Sequence, residues 1–214
     1  MNKTIALFGG SGGLGNQLFN IIKDDFNVIS LNSNDVDVVD IMSVKEFFDI
    51  NEIDIVINLS GYNYNNMLHS YENEIEIDNQ ININIKGNIN ILNGCLPHMR
   101  EKKYGRIILM SSILSVKPVA GTSIYSGCKS FIDNLAKTCS LENLNCGITC
   151  NSIQLGYFDG GLTYTIPEKI RNDIKENIPL KRWGNIEELK NVIYFLIDTE
   201  YISGSNLLVN GGLL

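Results

Sequence analysis

Tyr125 and Lys129 stand one helical turn apart, a spacing that puts both side chains on one face of a helix. A free tyrosine, with a pKa near ~10, is a poor base at neutral pH. A nearby ammonium favours the phenolate and lowers that pKa. A hydroxyl from another segment, here Ser112, can hold a substrate oxygen beside the phenol. Such a trio can move a proton to or from an alcohol or carbonyl oxygen. A Tyr-x-x-x-Lys pair alone occurs by chance on many helices, so its meaning depends on the elements that position it.

Those elements read as alternating strands and helices. Ile5 to Phe8 is a short apolar strand, followed by Gly9-Gly10-Ser11-Gly12-Gly13-Leu14-Gly15 and a helical pattern through Leu18, Ile21 and Ile22. Strand, glycine-rich turn and helix together form a phosphate cradle: glycines let the backbone approach a pyrophosphate, and the helix N-terminus offers it free N–H groups. Gly9, Ser11, Gly12, Gly13 and Leu14 are the candidate contacts. Asn27 to Leu31 reads as a second strand. At its end a carboxylate would suit the ribose hydroxyls of NAD and a basic residue the 2′-phosphate of NADP. Asn32 and Ser33 stand there instead and can bond to either; the missing carboxylate tips the reading slightly towards NADP, and the missing basic residue tips it back. Val36 to Val39 reads as a third strand after a short connection, with Asp37 either an acceptor for an adenine amino group or a solvated strand-end carboxylate.

Ser43 to Phe48 reads as a short helix and Asp54 to Leu59 as a buried strand, with Asn58, Ser60 and Gly61 at its carboxyl end. Tyr62 to Glu76 is polar and reads as a loop with a turn of helix. Asn79 to Met99 carries apolar residues close to a helical period and includes Asn84, which is either a solvated side chain or a contact near the active centre. Arg106 to Met110 is another buried strand, and it delivers Ser111 and Ser112 to its carboxyl end. Ligands of parallel α/β sheets bind at those ends, so the serines and the glycine turns should face one crevice. A helix from Ser123 then carries Tyr125 and Lys129 in its first turns.

The chain's length fits one domain, 1–214, and its 44% hydrophobic content can bury a substantial core. A net charge of −7 argues against a general partner for nucleic acid or anionic membranes. Five irregularly spaced cysteines read as reduced thiols in the cytoplasm. No apolar run approaches the ~20 residues of a membrane helix. His69 and His98 have no ligand partners at metal-binding spacing, so no metal site is expected.

Taken in order, these motifs resemble the short-chain dehydrogenase/reductase family over nearly the whole chain. Gly9, Gly13 and Gly15 match its glycine motif, and Asn58-Leu59-Ser60-Gly61 is similar to its N-N-A-G turn. Asn84, Ser112, Tyr125 and Lys129 fall on its Asn-Ser-Tyr-Lys tetrad. Gly156 matches the glycine of the turn that covers the nicotinamide. Ile202-Ser203-Gly204 and Leu208-Val209-Asn210-Gly211-Gly212 are similar to its closing strand.

The resemblance implies a Rossmann-type, doubly wound, mostly parallel sheet with helices on both faces. It also implies hydride transfer between NAD or NADP and a small carbonyl or alcohol. Tyr125 would exchange the proton, Lys129 would lower the tyrosine pKa and hold the nicotinamide ribose, Ser112 would hold the reacting oxygen, and Asn84 would support a proton path. Residues 156–182 would form a substrate-binding lid, and the chain would pair into a homodimer or homotetramer through its long helices. A 3-oxoacyl-carrier-protein reductase and a reductase of surface-sugar or secondary-metabolite synthesis both fit. Phe8, Leu155 and Gly160 depart from the family pattern and motivate an alternative, a nucleotide-sensing binding protein without turnover.

Overall fold

The computed structural model describes residues 3–214. Six strands form one sheet in the order β2-β1-β3-β4-β5-β6: β1 (Thr4–Phe8), β2 (Asn27–Leu31), β3 (Ile55–Asn58), β4 (Gly105–Ser112), β5 (Ile148–Leu155) and β6 (Asn206–Val209). Every pairing is parallel, so the expected mostly parallel sheet is wholly so. Seven α-helices accompany it: α1 (Gly13–Ile22), α2 (Ile41–Ile50), α3 (Glu74–Ile81), α4 (Gly87–Lys102), α5 (Ser123–Asn143), α6 (Glu168–Asn177) and α7 (Ile186–Asp198).

Period-two alternation sends successive strand side chains to opposite faces. In β1, Ala6 and Phe8 join a core with Val44, Phe48, Ile91 and Ile132 from α2, α4 and α5. Ile5 and Leu7 join a second core with Leu18, Ile22, Leu189 and Ile193 from α1 and α7. The sheet is therefore covered on both sides. Because β2 lies on one side of β1 and β3 on the other, the chain reverses direction across the sheet between β1 and β3. A crevice opens at such a switch point, beyond the carboxyl ends of the strands.

Two expectations are corrected. Val36 to Val39 is not a strand. The side-chain amide of Asn90 on α4 donates to the carbonyls of Val38 and Val39 at 2.9 and 3.1 Å, and Val36 packs into the core. These carbonyls are met by a helix side chain rather than by a neighbouring strand. The crossover from β2 to β3 runs instead through α2, which starts two residues before the expected Ser43 and is capped by Asp40 accepting from Met42 N–H at 2.9 Å. The helix expected from Asn79 begins earlier, at Glu74, where Asn73 accepts from Ile75 N–H at 3.1 Å. It runs through a π-helical segment, Asn82–Lys86, into α4.

Candidate active site

Ser112 ends β4, and Tyr125 and Lys129 sit in the first turns of α5. Lys129 ties the helix to the strand twice: its Nζ donates to Met110 C=O at 2.9 Å, and its own carbonyl accepts from Ser111 Oγ at 3.0 Å. Ser111 is thus a brace, while Ser112 and Tyr125 both line a cavity of about 600 Å³. The turn after Ser112 is pinned as well. Ser112 Oγ accepts from Leu114 N–H at 3.1 Å, and Ser115 C=O accepts from Ser130 Oγ at 2.9 Å.

Burial governs the charges here. Desolvation pushes the Tyr125 phenol well above its ordinary value, with the Ser112 hydroxyl beside it pulling the other way. Desolvation also lowers the Lys129 ammonium to about 8, against the opposing influence of Cys128 and Asp133. The expected lowering of the tyrosine by the lysine does not appear; burial dominates, and Tyr125 stands as a neutral phenol, the form that donates a proton.

Asn84 is fully buried in the π segment, so the reading of it as solvated fails. Such single-turn π bulges recur at functional sites. Asn88, one turn later, donates to Asn84 C=O at 2.7 Å and holds the bulge. The Asn84 amide grips the backbone of Tyr62, donating to its carbonyl at 2.7 Å and accepting from its N–H at 3.4 Å. A Cβ added to Gly61 would lie 3.3 Å from Asn84 Oδ1 and 3.6 Å from Lys129 Nζ. The glycine therefore keeps open the gap between these two groups.

A second cavity, of about 500 Å³, lies at the switch point. Gly9, Ser11, Gly12, Asn32, Ser33, Asp37, Ser60 and Gly61 all line it. Gly9 adopts a positive φ of 75°, and a Cβ there would lie 2.6 Å from Ser60 N. The first turn of α1 has no side-chain cap and no acidic residue, leaving its N–H groups for an anion. Glycine cradle, open helix terminus and polar strand ends together fit a dinucleotide.

Other expected contacts lie elsewhere. Gly13 and Leu14 face residues 160–161: a Cβ on Gly13 would come within 2.5 Å of Gly161 N, and a Cβ on Gly161 would lie 3.3 Å from Leu14 Cγ. Asn58 is buried and works as a brace, donating to Asn88 Oδ1 at 2.8 Å and accepting from Ser60 N–H at 2.9 Å. Gly156 lines the cavity of Ser112 and Tyr125, along with Tyr157, Leu162, Ile166 and Ile170. Phe8, one of the departures from the family pattern, packs against Phe47 and Phe48 with centroids 5.9 and 6.0 Å away.

Sequence reasoning missed two groups. Asn63 lines the first cavity, and its Oδ1 is buried without a partner; it lies in a stretch that reads only as a polar loop. Buried Asp133, one turn beyond Lys129, accepts from Ser152 Oγ at 2.7 Å and Gln154 Nε2 at 2.6 Å. Gln154 also donates to Ser115 Oγ at 3.0 Å. The helical spacing of Asp133 from Lys129 was the available signal. Among the described residues, no group of His, Cys, Asp and Glu is placed to hold a metal ion, and His98 pairs with Asp49 at 3.2 Å.

Known proteins resemble this chain in sequence and in fold. A family model described as enoyl-(acyl carrier protein) reductase matches residues 26–214. The 3-oxoacyl-[acyl-carrier-protein] reductase FabG of Staphylococcus epidermidis is 31% identical over 163 residues, covering 75% of this chain and 66% of that protein. Nodulation protein G of Azospirillum brasilense is 31% identical over 174 residues, covering 80% of this chain and 70% of the relative. The match therefore spans about two thirds of the length of these curated relatives. A solved structure titled "ElxO with NADP Bound" superimposes with a TM-score of 0.88 at 22% identity, covering 100% of this chain and 99% of that one. That likeness establishes the doubly wound fold.

Proposed function

This chain belongs to the short-chain dehydrogenase/reductase family, and on that premise we propose that it is an NAD(P)-dependent oxidoreductase that reduces a small carbonyl compound to an alcohol. One observation carries the reading: Ser112 and Tyr125 share a cavity, with Lys129 and Asn84 behind them across Gly61, beside a glycine-lined pocket that fits a dinucleotide.

The pocket would hold the adenosine and pyrophosphate through Gly9, Ser11, Gly12, Asn32, Ser33, Asp37, Ser60 and Gly61. The reduced nicotinamide, when bound, supplies the hydride. The protein's own part is placement and proton management. Ser112 Oγ–H donates to the carbonyl oxygen and fixes it beside Tyr125. As negative charge grows on that oxygen, Tyr125 gives it the phenolic proton. Burial favours this direction, because a neutral phenol starts as the donor. Lys129, ionised below about pH 8, stabilises the phenolate left behind. Asn84 keeps the route past Gly61 in register for reprotonation.

The cofactor is NADP(H) in preference to NAD(H). No carboxylate occupies the two positions after β2, Asn32 and Ser33 being neutral donors, and the solved neighbour is titled as an NADP complex. Residues 156–182 act as the substrate lid: Leu162, Ile166 and Ile170 wall the cavity, and Gly160 and Gly161 rest on the start of α1. Thioesters of 3-oxoacyl groups are the first substrates to try, given the name of the staphylococcal relative. The protein works in the cytoplasm, where its five free thiols stay reduced, and it pairs with a second copy through α4 and α5. Ile89, Leu92, Leu96 and Leu135 line a groove of about 540 Å³ between those helices.

The test is to follow oxidation of NADPH and NADH with a panel of carbonyls. Carbonyl-dependent oxidation, faster with NADPH, supports the proposal. Tight cofactor binding with no turnover across the panel would support the nucleotide sensor in its place.

A further inference from the structure

Among the described residues, the wall of the cavity in front of Tyr125 carries no ionisable group apart from tyrosines. Ile113, Leu114, Val119, Ile166 and Ile170 supply much of its surface, and Val119 and Ile170 are exposed to solvent as well. A charged substrate group brought against these side chains would lose its hydration and gain no counter-charge. Two of the hydroxyls in the wall are spent. Thr122 and Thr165 give their hydroxyl protons to Val119 C=O and Leu162 C=O, each at 2.8 Å.

Asn63 differs. Its Oδ1 is buried in the cavity wall with no hydrogen-bond partner. An acceptor left in that state is costly unless something else satisfies it. Nor is the residue loosely held. On one side the Asn84 amide holds both the N–H and the C=O of Tyr62. On the other, Tyr64 C=O accepts from Tyr71 OH at 2.9 Å, and the two rings meet edge to face with centroids 6.0 Å apart. The backbone is fixed on both sides of an unpaired acceptor, which is thereby placed in advance for a ligand.

We propose that the substrate is an uncharged, largely apolar carbonyl compound that donates a hydrogen bond, from an amide N–H or a hydroxyl, to Asn63 Oδ1. This deepens the reductase reading above and rests on it. Asn63 then determines specificity, while Ser112 and Tyr125 handle the reacting oxygen.

The experiment compares NADPH-dependent reduction of four 3-oxoacyl thioesters with one acyl chain. The thiol part ends in an N-acetyl amide, the N-methylated amide, a hydroxyl or a carboxylate. The wild-type protein should reduce the amide or the hydroxyl thioester with a kcat/KM about tenfold above that of the N-methyl compound, the loss of one hydrogen bond. Whichever of the two leads identifies the donor. The carboxylate should be the poorest substrate. In Asn63→Leu, checked for folding by its thermal unfolding, the tenfold preference should fall to about onefold. Equal kcat/KM for the amide, hydroxyl and N-methyl compounds in the wild type would overturn the inference while leaving the reductase reading intact. A preference that survives in Asn63→Leu, or a carboxylate that is reduced best, would overturn it too. Absence of turnover with every carbonyl would overturn the reductase reading and this inference together.

Discussion

Lys129→Met should make the protein inactive and change how its stability depends on pH. The ammonium is buried with one carbonyl partner, Met110 C=O at 2.9 Å, and titrates near 8 in the folded protein against an ordinary 10.5. A lysine lowered by burial destabilises the folded state wherever it is charged. Below about pH 8 both states carry the proton and the whole cost applies, on the order of 3 kcal/mol. Between 8 and 10.5 the unfolded chain binds more protons than the folded one, so stability rises with pH. Methionine has no such cost. It leaves Met110 C=O without its donor, which takes back about 1–3 kcal/mol at every pH. The advantage of the variant over the wild type should therefore shrink by about 2 kcal/mol from about pH 7 to about pH 9.5. Urea unfolding of both proteins at the two pH values measures this, and titrations elsewhere in the chain cancel in the comparison. A difference that stays constant with pH would refute the claim that burial, rather than a counter-charge, sets the state of Lys129.

Two further outcomes follow from the geometry. Gly61→Ala places a methyl 3.3 Å from Asn84 Oδ1 and 3.6 Å from Lys129 Nζ. It should lower kcat about tenfold for a loss of only about 1 kcal/mol in stability, the small cost of modest overpacking; an unchanged kcat would show that the gap has no part in turnover. Sedimentation at micromolar concentration should find a dimer or tetramer, with Leu135→Glu at the α4–α5 groove shifting it towards monomer. A stable wild-type monomer would remove the proposed pairing.

The candidate site was legible because its signals are local. A tyrosine and a lysine one turn apart on an amphipathic helix, and a serine at the end of an apolar strand, need only the periods of helix and strand to be placed. The glycine turn after β1 was legible for the same reason. What escaped depends on partners distant in sequence. Val36 and Val38 look like strand residues, but Asn90 on α4 takes the carbonyls that a strand would share. The eight residues of β5 are all buried, yet Asn151, Ser152 and Gln154 hide it among polar types. Asp133 and residues 202–206 satisfy those side chains, and no local pattern announces that. The apolar period of that helix runs through Ile81 and Ile89, which are exposed, while Asn84, Asn88 and Asn90 are buried, so only the structure reveals that Asn84 turns inward. Gly13 matched a phosphate-loop pattern, but its missing Cβ makes room for the backbone of Gly161.

Proton transfer from the buried Tyr125 phenol is the step on which the account depends, and Tyr125→Phe tests it most directly by removing one oxygen from a side chain only 7% exposed. The measurement is kcat/KM for carbonyl-dependent NADPH oxidation, together with NADPH affinity, in the wild type and the variant. The account predicts a fall of at least ~10²-fold in kcat/KM, the usual contribution of a positioned general acid, with NADPH affinity little changed. Turnover that survives the loss of the phenolic oxygen, with wild-type NADPH binding, would contradict it.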